Sequence, residues 1–164
     1  MNYAQIRKMD ISNGEYIGVS LFVSGCHFHC KNCFNSIAWD YNYGQRFTEE
    51  TMQTILQLLQ RDFIKRFTIL GGEPLDDKNV ETVYKIIQQV RQHNPNIKIW
   101  LYSGYTLEEI MKQTDVYGKY RQQILKIIDV LVDGQYIDEL KNLNLQFRGS
   151  SNQRIIRLKK RIIM

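Results

Sequence analysis

The sequence predicts an α/β fold built as a partial (β/α) barrel, and three observations carry that expectation. Short runs rich in β-forming residues alternate with amphipathic helical stretches, a pattern that implies parallel βαβ units. The loop after each run holds glycine and polar residues, where such folds keep their sites. A length of 164 residues is too short for a complete eight-fold barrel, which takes about 250.

The elements follow in order. Glu49 to Phe63 reads as a helix capped by Thr48, with Met52, Ile55, Leu56, Leu59 and Phe63 on one stripe. Lys65 to Leu70 (KRFTIL) is a short strand. Asp77 to His93 is a second helix, with Val80, Val83, Ile86, Ile87 and Val90 facing inward, and the turn Asn94-Pro95-Asn96 stops it. Ile97 to Tyr102 (IKIWLY) is the next strand. Thr106 and Glu109 form a capping box for a helix running to about Gln113. Tyr120 to Ile128 is helical, and Asp129 to Val132 is a third strand. The irregular apolar and basic residues after Arg154 fit a final edge strand, where lysines discourage further pairing, or an arm that docks on a partner.

Composition removes several function classes. With 43% hydrophobic residues there is material for a core, so disorder is excluded. The net charge is +5 and the pI about 9.1, which raises nucleic-acid binding. Five of the 22 basic residues, however, lie in the tail from Arg154 to Met164, and the body carries 17 charges of each sign. The excess belongs to the tail and not to a face, so no nucleic-acid partner is expected. The start MNYAQIRKMD lacks the apolar stretch of a secretory signal, and no apolar run approaches the ~20 residues of a membrane span. A single cytoplasmic domain over residues 1–164 is the expectation.

The three cysteines, Cys26, Cys30 and Cys33, lie within eight positions. An odd count without an export signal argues against a disulfide framework. The spacing C-x3-C-x2-C points to a metal site on a wrapping loop, and three readings compete. Structural zinc wants four ligands, and His27 or His29 would have to supply the fourth from inside a tight loop. A dithiol pair, Cys30 and Cys33, leaves Cys26 unexplained. An iron–sulfur cluster on three thiolates uses all three and leaves one iron open to an exogenous ligand. The cluster ranks first and zinc second.

C-x3-C-x2-C is also the signature of the radical S-adenosylmethionine (radical SAM) enzymes. Within them, Val19 to Phe47 (VSLFVSGCHFHCKNCFNSIAWDYNYGQRF) resembles the activating proteins of anaerobic (class III) ribonucleoside-triphosphate reductases. There a strand ending L-F-x-S-G-C leads into the cluster loop, here residues 24–36, and an aromatic and Asn follow the last cysteine, here Phe34 and Asn35. Tyr3 to Gly14 resembles the family's opening. Gly71-Gly72-Glu73-Pro74 resembles the GGE motif, Ser103-Gly104-Tyr105 its Thr/Ser-Gly-Tyr, and Asp133-Gly134-Gln135-Tyr136 its Asp-Gly-x-Tyr. Phe147 to Arg154 (FRGSSNQR) matches a further stretch, a polar cluster suited to a solvated loop or a partner contact. One departure stands out: where the family often has Gly-x-Arg-Val, this chain has Tyr16-Ile17-Gly18-Val19.

The resemblance implies a fold and a chemistry. The barrel would be of the radical SAM type, with a 4Fe–4S cluster on Cys26, Cys30 and Cys33. S-adenosylmethionine would be contacted by Asn32, Phe34, Gly71, Gly72, Glu73, Ser103 and Asp133. The implied reaction installs a glycyl radical on the large subunit of the anaerobic reductase, with the radical carried by the cofactor and no acid/base residue required. A flavodoxin or ferredoxin would donate the electron, and family members usually dimerise. Asp133 has a second reading as a turn or capping residue. An activator of another glycyl radical enzyme, or a small-molecule radical SAM enzyme, would share the cysteine triplet and the Gly-Gly-Glu loop.

Overall fold

The computed structural model describes residues 1–158 and shows a mixed α/β architecture around one seven-stranded sheet. In chain order the strands are β1 (Asn2–Asp10), β2 (Gly18–Val23), β3 (Gln45–Arg46), β4 (Arg66–Gly71), β5 (Lys98–Tyr102), β6 (Val130–Asp133) and β7 (Arg154–Arg157). The helices are α1 (Glu49–Leu59), α2 (Val80–His93), α3 (Leu107–Lys112) and α4 (Val116–Leu125). The sheet order is β3-β1-β2-β4-β5-β6-β7. Strands β2, β4, β5 and β6 are parallel neighbours, as the alternation predicts. Antiparallel strands flank them: β1 and β3 on one side, β7 on the other.

Strand alternation gives the parallel sheet two different faces. Val19, Leu21 and Val23, Phe67 and Ile69, Ile99 and Leu101, and Leu131 pack in one core with the helices' apolar stripes. Those stripes are Met52, Ile55, Leu56 and Leu59 on α1 and Val80, Val83, Ile86, Ile87 and Val90 on α2. Thr48 and Thr106 cap α1 and α3 through capping boxes, and Asp115 caps α4 by accepting from the Gly118 N–H. The other face bears a smaller cluster of Trp100, Val130 and Val132, covered by Phe147 and Ile155.

The second face also buries an arginine. Arg66 is fully buried and donates to the carbonyls of Asp10 (2.8 Å), Gly14 (2.7 Å), Glu15 (3.3 Å) and Tyr16 (3.0 Å), and its guanidinium lies 3.6 Å from the Asp10 carboxylate. Asp10 in turn accepts from Ser20 and Asn13. These bonds fasten the loop after β1 across the sheet.

Several boundaries differ from the sequence expectations. Helix α1 ends at Leu59, and Phe63 lies outside it, half exposed beneath the Arg61 guanidinium, so it does not extend the buried stripe. Helix α2 begins at Val80, because residues 76–79 form turns that serve the site. Helix α4 starts at Val116, four residues earlier than its apolar pattern announces, set by the Asp115 cap. β1 and β3 alternate too weakly to stand out in the sequence; β2 supplies β1's partner. The expected edge strand is β7, and the remainder of the basic tail, Lys159 to Met164, lies outside the described residues.

Candidate functional site

The four parallel strands end at one rim, and the loop after each contributes to a single cleft. Cys26 follows β2; Gly71, Gly72 and Glu73 follow β4; Ser103 and Gly104 follow β5; Gly134, Gln135 and Tyr136 follow β6. Cys30, Cys33 and Phe34 close the cleft from the cluster loop. All three cysteines are free thiols.

Backbone bonds hold the cysteine loop against the Gly-Gly-Glu loop. Gly72 N–H donates to Val23 O and Glu73 N–H to Gly25 O, both at 2.8 Å. Asn79, buried at the start of α2, donates its side-chain amide to Ser24 O (3.0 Å) and Glu73 O (3.1 Å). The contact is too close for any side chain at position 72, where a Cβ would stand 2.5 Å from Gly25 O. Gly71 has φ +119°, which glycine adopts without strain. On the far side Gly25 N–H donates to Ala38 O and Cys26 N–H to Trp39 O.

Glu73 is buried and its carboxylate bridges two loops. One oxygen accepts from Ser103 Oγ (2.7 Å) and Leu75 N–H (3.0 Å), the other from Gly104 N–H (2.7 Å). Burial outweighs these donors and pushes its carboxyl up to about 7. Burial likewise pushes the Cys26 thiol up to about 11, against the Phe28 and His29 N–H groups that favour the thiolate. Cys30 is raised by burial and by the nearby Cys33. Binding a metal through Cys26 and Cys30 would therefore release protons.

The two histidines of the loop serve its shape. His27 Nδ1 lies 2.7 Å from Asp76 Oδ2, which also accepts from Tyr41 OH at 2.6 Å. His29 stacks on Trp39, with ring centroids 4.4 Å apart. Neither lines the cleft. Among the described residues no three His, Cys, Asp or Glu side chains converge as a single metal ion requires. A cluster does not ask for that convergence, because each thiolate binds its own iron. The donor set, three thiols on one cleft, fits an iron–sulfur cluster with one iron left for a further ligand.

Of the residues expected around the cofactor, the cleft brings together Cys26, Cys30, Cys33, Phe34, Gly71, Gly72, Glu73 and Ser103. Asn32 sits on the outer side of its loop and donates to Asp138 Oδ2 at 2.9 Å. It lines a neighbouring groove with Phe34, Tyr136 and Leu143. Asp133 is buried beside the cleft, not in it. Its carboxylate accepts from Leu107 N–H (2.8 Å) at the start of α3 and from Arg154 Nε (3.0 Å) and Nη2 (2.5 Å). Thr106 is the N-cap of α3, so Asp133 supports that helix end across the sheet rather than as the N-cap or turn residue of its second sequence reading. The Phe147–Arg154 cluster is also engaged within the chain: Arg148 donates to Gln153 O, and Arg154 grips Asp133 and Glu108.

Phe28, Trp39, Tyr102 and Asn79 complete the site without a functional signal in the sequence, together with Gln135 and Tyr136 of the Asp-Gly-x-Tyr stretch. Asn79 carries no sequence signal, because the apolar period from Asp77 to His93 places it inside a helix that begins only at Val80.

Comparison with known proteins agrees with this geometry. The family described as "4Fe-4S single cluster domain" matches residues 12–156. A protein of Haemophilus influenzae named anaerobic ribonucleoside-triphosphate reductase-activating protein is 40% identical over 161 residues, covering 97% of this chain and 99% of the relative. A protein of the same name from Escherichia coli K12 is 39% identical over 155 residues, 93% of this chain and 96% of the relative. Another, from bacteriophage T4, is 37% identical over 155 residues, 94% and 93% of the two chains. With a family match across most of its length and such relatives from end to end, the chain belongs to the anaerobic ribonucleoside-triphosphate reductase-activating protein family.

Proposed function

We propose that this protein is a radical SAM activating enzyme that installs a glycyl radical on the large subunit of an anaerobic ribonucleotide reductase. The observation that carries the reading is the meeting of three free thiols with the loops after β4, β5 and β6 in one cleft. When bound, the 4Fe–4S cluster supplies the electron that cleaves S-adenosylmethionine, giving a 5′-deoxyadenosyl radical that takes a hydrogen atom from a glycine.

The chain's own residues position and enclose. Cys26, Cys30 and Cys33 would hold the cluster through three of its irons, and the backbone bonds from Gly72 and Glu73 fix the position of the cysteine loop. Gly71 and Gly72 let the Gly-Gly-Glu loop close on the cysteine loop, where a Cβ would meet the Val23 and Gly25 backbone, and so set the wall that the methionyl end of the cofactor would face. Glu73 and Ser103, already bonded to each other, offer polar atoms at the same wall. Phe34, 87% exposed at the mouth, would meet the cofactor or the incoming partner, and Asn32 would act from the adjoining groove. Asp133 would act indirectly, by holding the start of α3.

The four parallel strands form the partial barrel of a single radical SAM domain in this reading, with helices on one face only. The reductase is the partner; a flavodoxin or ferredoxin is the electron donor, and the active form is a homodimer in the cytoplasm. No helix among the described residues is long and apolar enough to cross a membrane.

Anaerobic reconstitution tests the reading. The expected product is a brown protein with about four iron and four sulfide per chain, which forms 5′-deoxyadenosine and raises a glycyl radical signal on the reductase. Single Cys→Ala variants at positions 26, 30 and 33 should lose both products. A colourless protein holding one zinc would overturn it.

A further inference from the structure

The segment after β6 lies directly over the cluster loop. Gln135, exposed at the mouth, places Oε1 3.9 Å from Cys30 Sγ. The backbone N–H of the next residue, Tyr136, favours the thiolate form of that cysteine. The segment is fastened beside it: Asp138 accepts from Asn32 Nδ2 at 2.9 Å, Tyr136 OH donates to Asp138 Oδ1 at 2.9 Å, and Lys31 lies 3.5 Å from Glu139. The segment is anchored from behind as well, since Asn152 donates to Gln135 O and Gln153 to Gly134 O.

We infer that Gln135 and the Tyr136 N–H form a donor pair on the Cys30 thiolate that raises the reduction potential of the cluster. This rests on the cluster reading above and goes beyond it. Against a thiol the Gln135 carbonyl accepts; a thiolate only accepts, so the amide turns over and Nε2 takes the carbonyl's place. One-electron reduction adds a negative charge that spreads onto the thiolate sulfurs. Hydrogen bonds to a sulfur stabilise the more negative, reduced state more than the oxidised one, and so raise the potential. Cys26 has its own donors in the Phe28 and His29 N–H groups, which come from within the cluster loop. Cys30 has its own backbone N–H as well, but differs in drawing further donors from another strand's loop, so the potential of the site is tied to how the 134–140 segment sits. Gln135 is therefore a positioning residue for charge, not a ligand.

The test is an EPR-monitored redox titration of reconstituted holoprotein without S-adenosylmethionine, comparing wild type with Gln135→Leu and Gln135→Glu. Iron and sulfide content is measured on each sample. At the wild-type midpoint, Gln135→Leu is expected to lower the ratio of reduced to oxidised cluster about threefold to tenfold, equivalent to about 30–60 mV at 59 mV per tenfold. Gln135→Glu keeps the side chain's length, replaces the donor with a negative charge and should lower the ratio further. Titrations that superimpose on wild type with full iron content would overturn the inference while leaving the cluster reading intact. Loss of cluster from both variants would also overturn it, because the side chain would then be retaining the loop. Wild-type protein that takes up no cluster would overturn both.

Discussion

Arg66 lies against Gly18, its register partner on the neighbouring parallel strand, and a Cβ on Gly18 would stand 2.7 Å from the Arg66 guanidinium carbon. On this pair of strands β4 supplies the guanidinium and β2 leaves the space for it. Replacing Arg66 with Leu strips donors from four carbonyls and leaves the buried Asp10 carboxylate without its ion pair. A loss of about 3–5 kcal/mol is expected in urea unfolding. Gly18→Arg alone should also destabilise, and combining it with Arg66→Gly should recover part of the loss; non-recovery would show that the two positions are not interchangeable.

Glu73 sets a pH dependence. Its carboxyl stands near 7 in the folded protein against 4.5 when free, because burial outweighs its three hydrogen bonds. Between those values the folded state keeps a proton that the unfolded state has released, so stability falls as pH rises from about 4.5 to 7. Calorimetry of the reduced apoprotein across this window should show that slope, and Glu73→Gln should flatten it. An unchanged slope in the variant would assign it to another group.

Asp133 separates a structural from a cofactor role. Asp133→Asn weakens the bond to Arg154 and exchanges a charged acceptor for a neutral one at the start of α3. It should cost about 1.5–3 kcal/mol of stability. Iron content and S-adenosylmethionine affinity, measured at a temperature where the variant is folded, should stay within about threefold of wild type. A larger loss of affinity at full folding would return Asp133 to the cofactor's contacts.

Gly72 is a test of close approach. A Cβ there meets the Gly25 and Ala38 carbonyl oxygens at 2.5 and 2.9 Å, and neither can swing aside because both are backbone. Gly72→Ala should push the Gly-Gly-Glu loop away from the cysteine loop, costing about 1–3 kcal/mol. Reconstituted protein should then hold less iron per chain than wild type. Full iron content with unchanged stability would show that the two loops move together.

Much of this protein was legible in its sequence, for reasons tied to particular residues. The stripes Met52-Ile55-Leu56-Leu59 and Val80-Val83-Ile86-Ile87-Val90 each repeat at helical period and are buried on one core. The βαβ alternation follows from them, and with it the rim on which loops gather. The cysteine spacing is local chemistry: three thiols in eight residues have to share a loop. Phe63 misled because a fourth-turn apolar residue continues the period, yet the chain has already left α1 at Leu59.

The sequence by itself determined the helix faces, the parallel strands and the thiol donors, because each depends on neighbours a few residues apart. Tertiary structure alone decided that Asp133 supports the start of α3 and grips Arg154, that Arg66 fills the space of Gly18, and that Gln135 meets Cys30 across 105 positions. Those pairings are set by strand register and by the order β2-β4-β5-β6, which bring together residues that no local period relates.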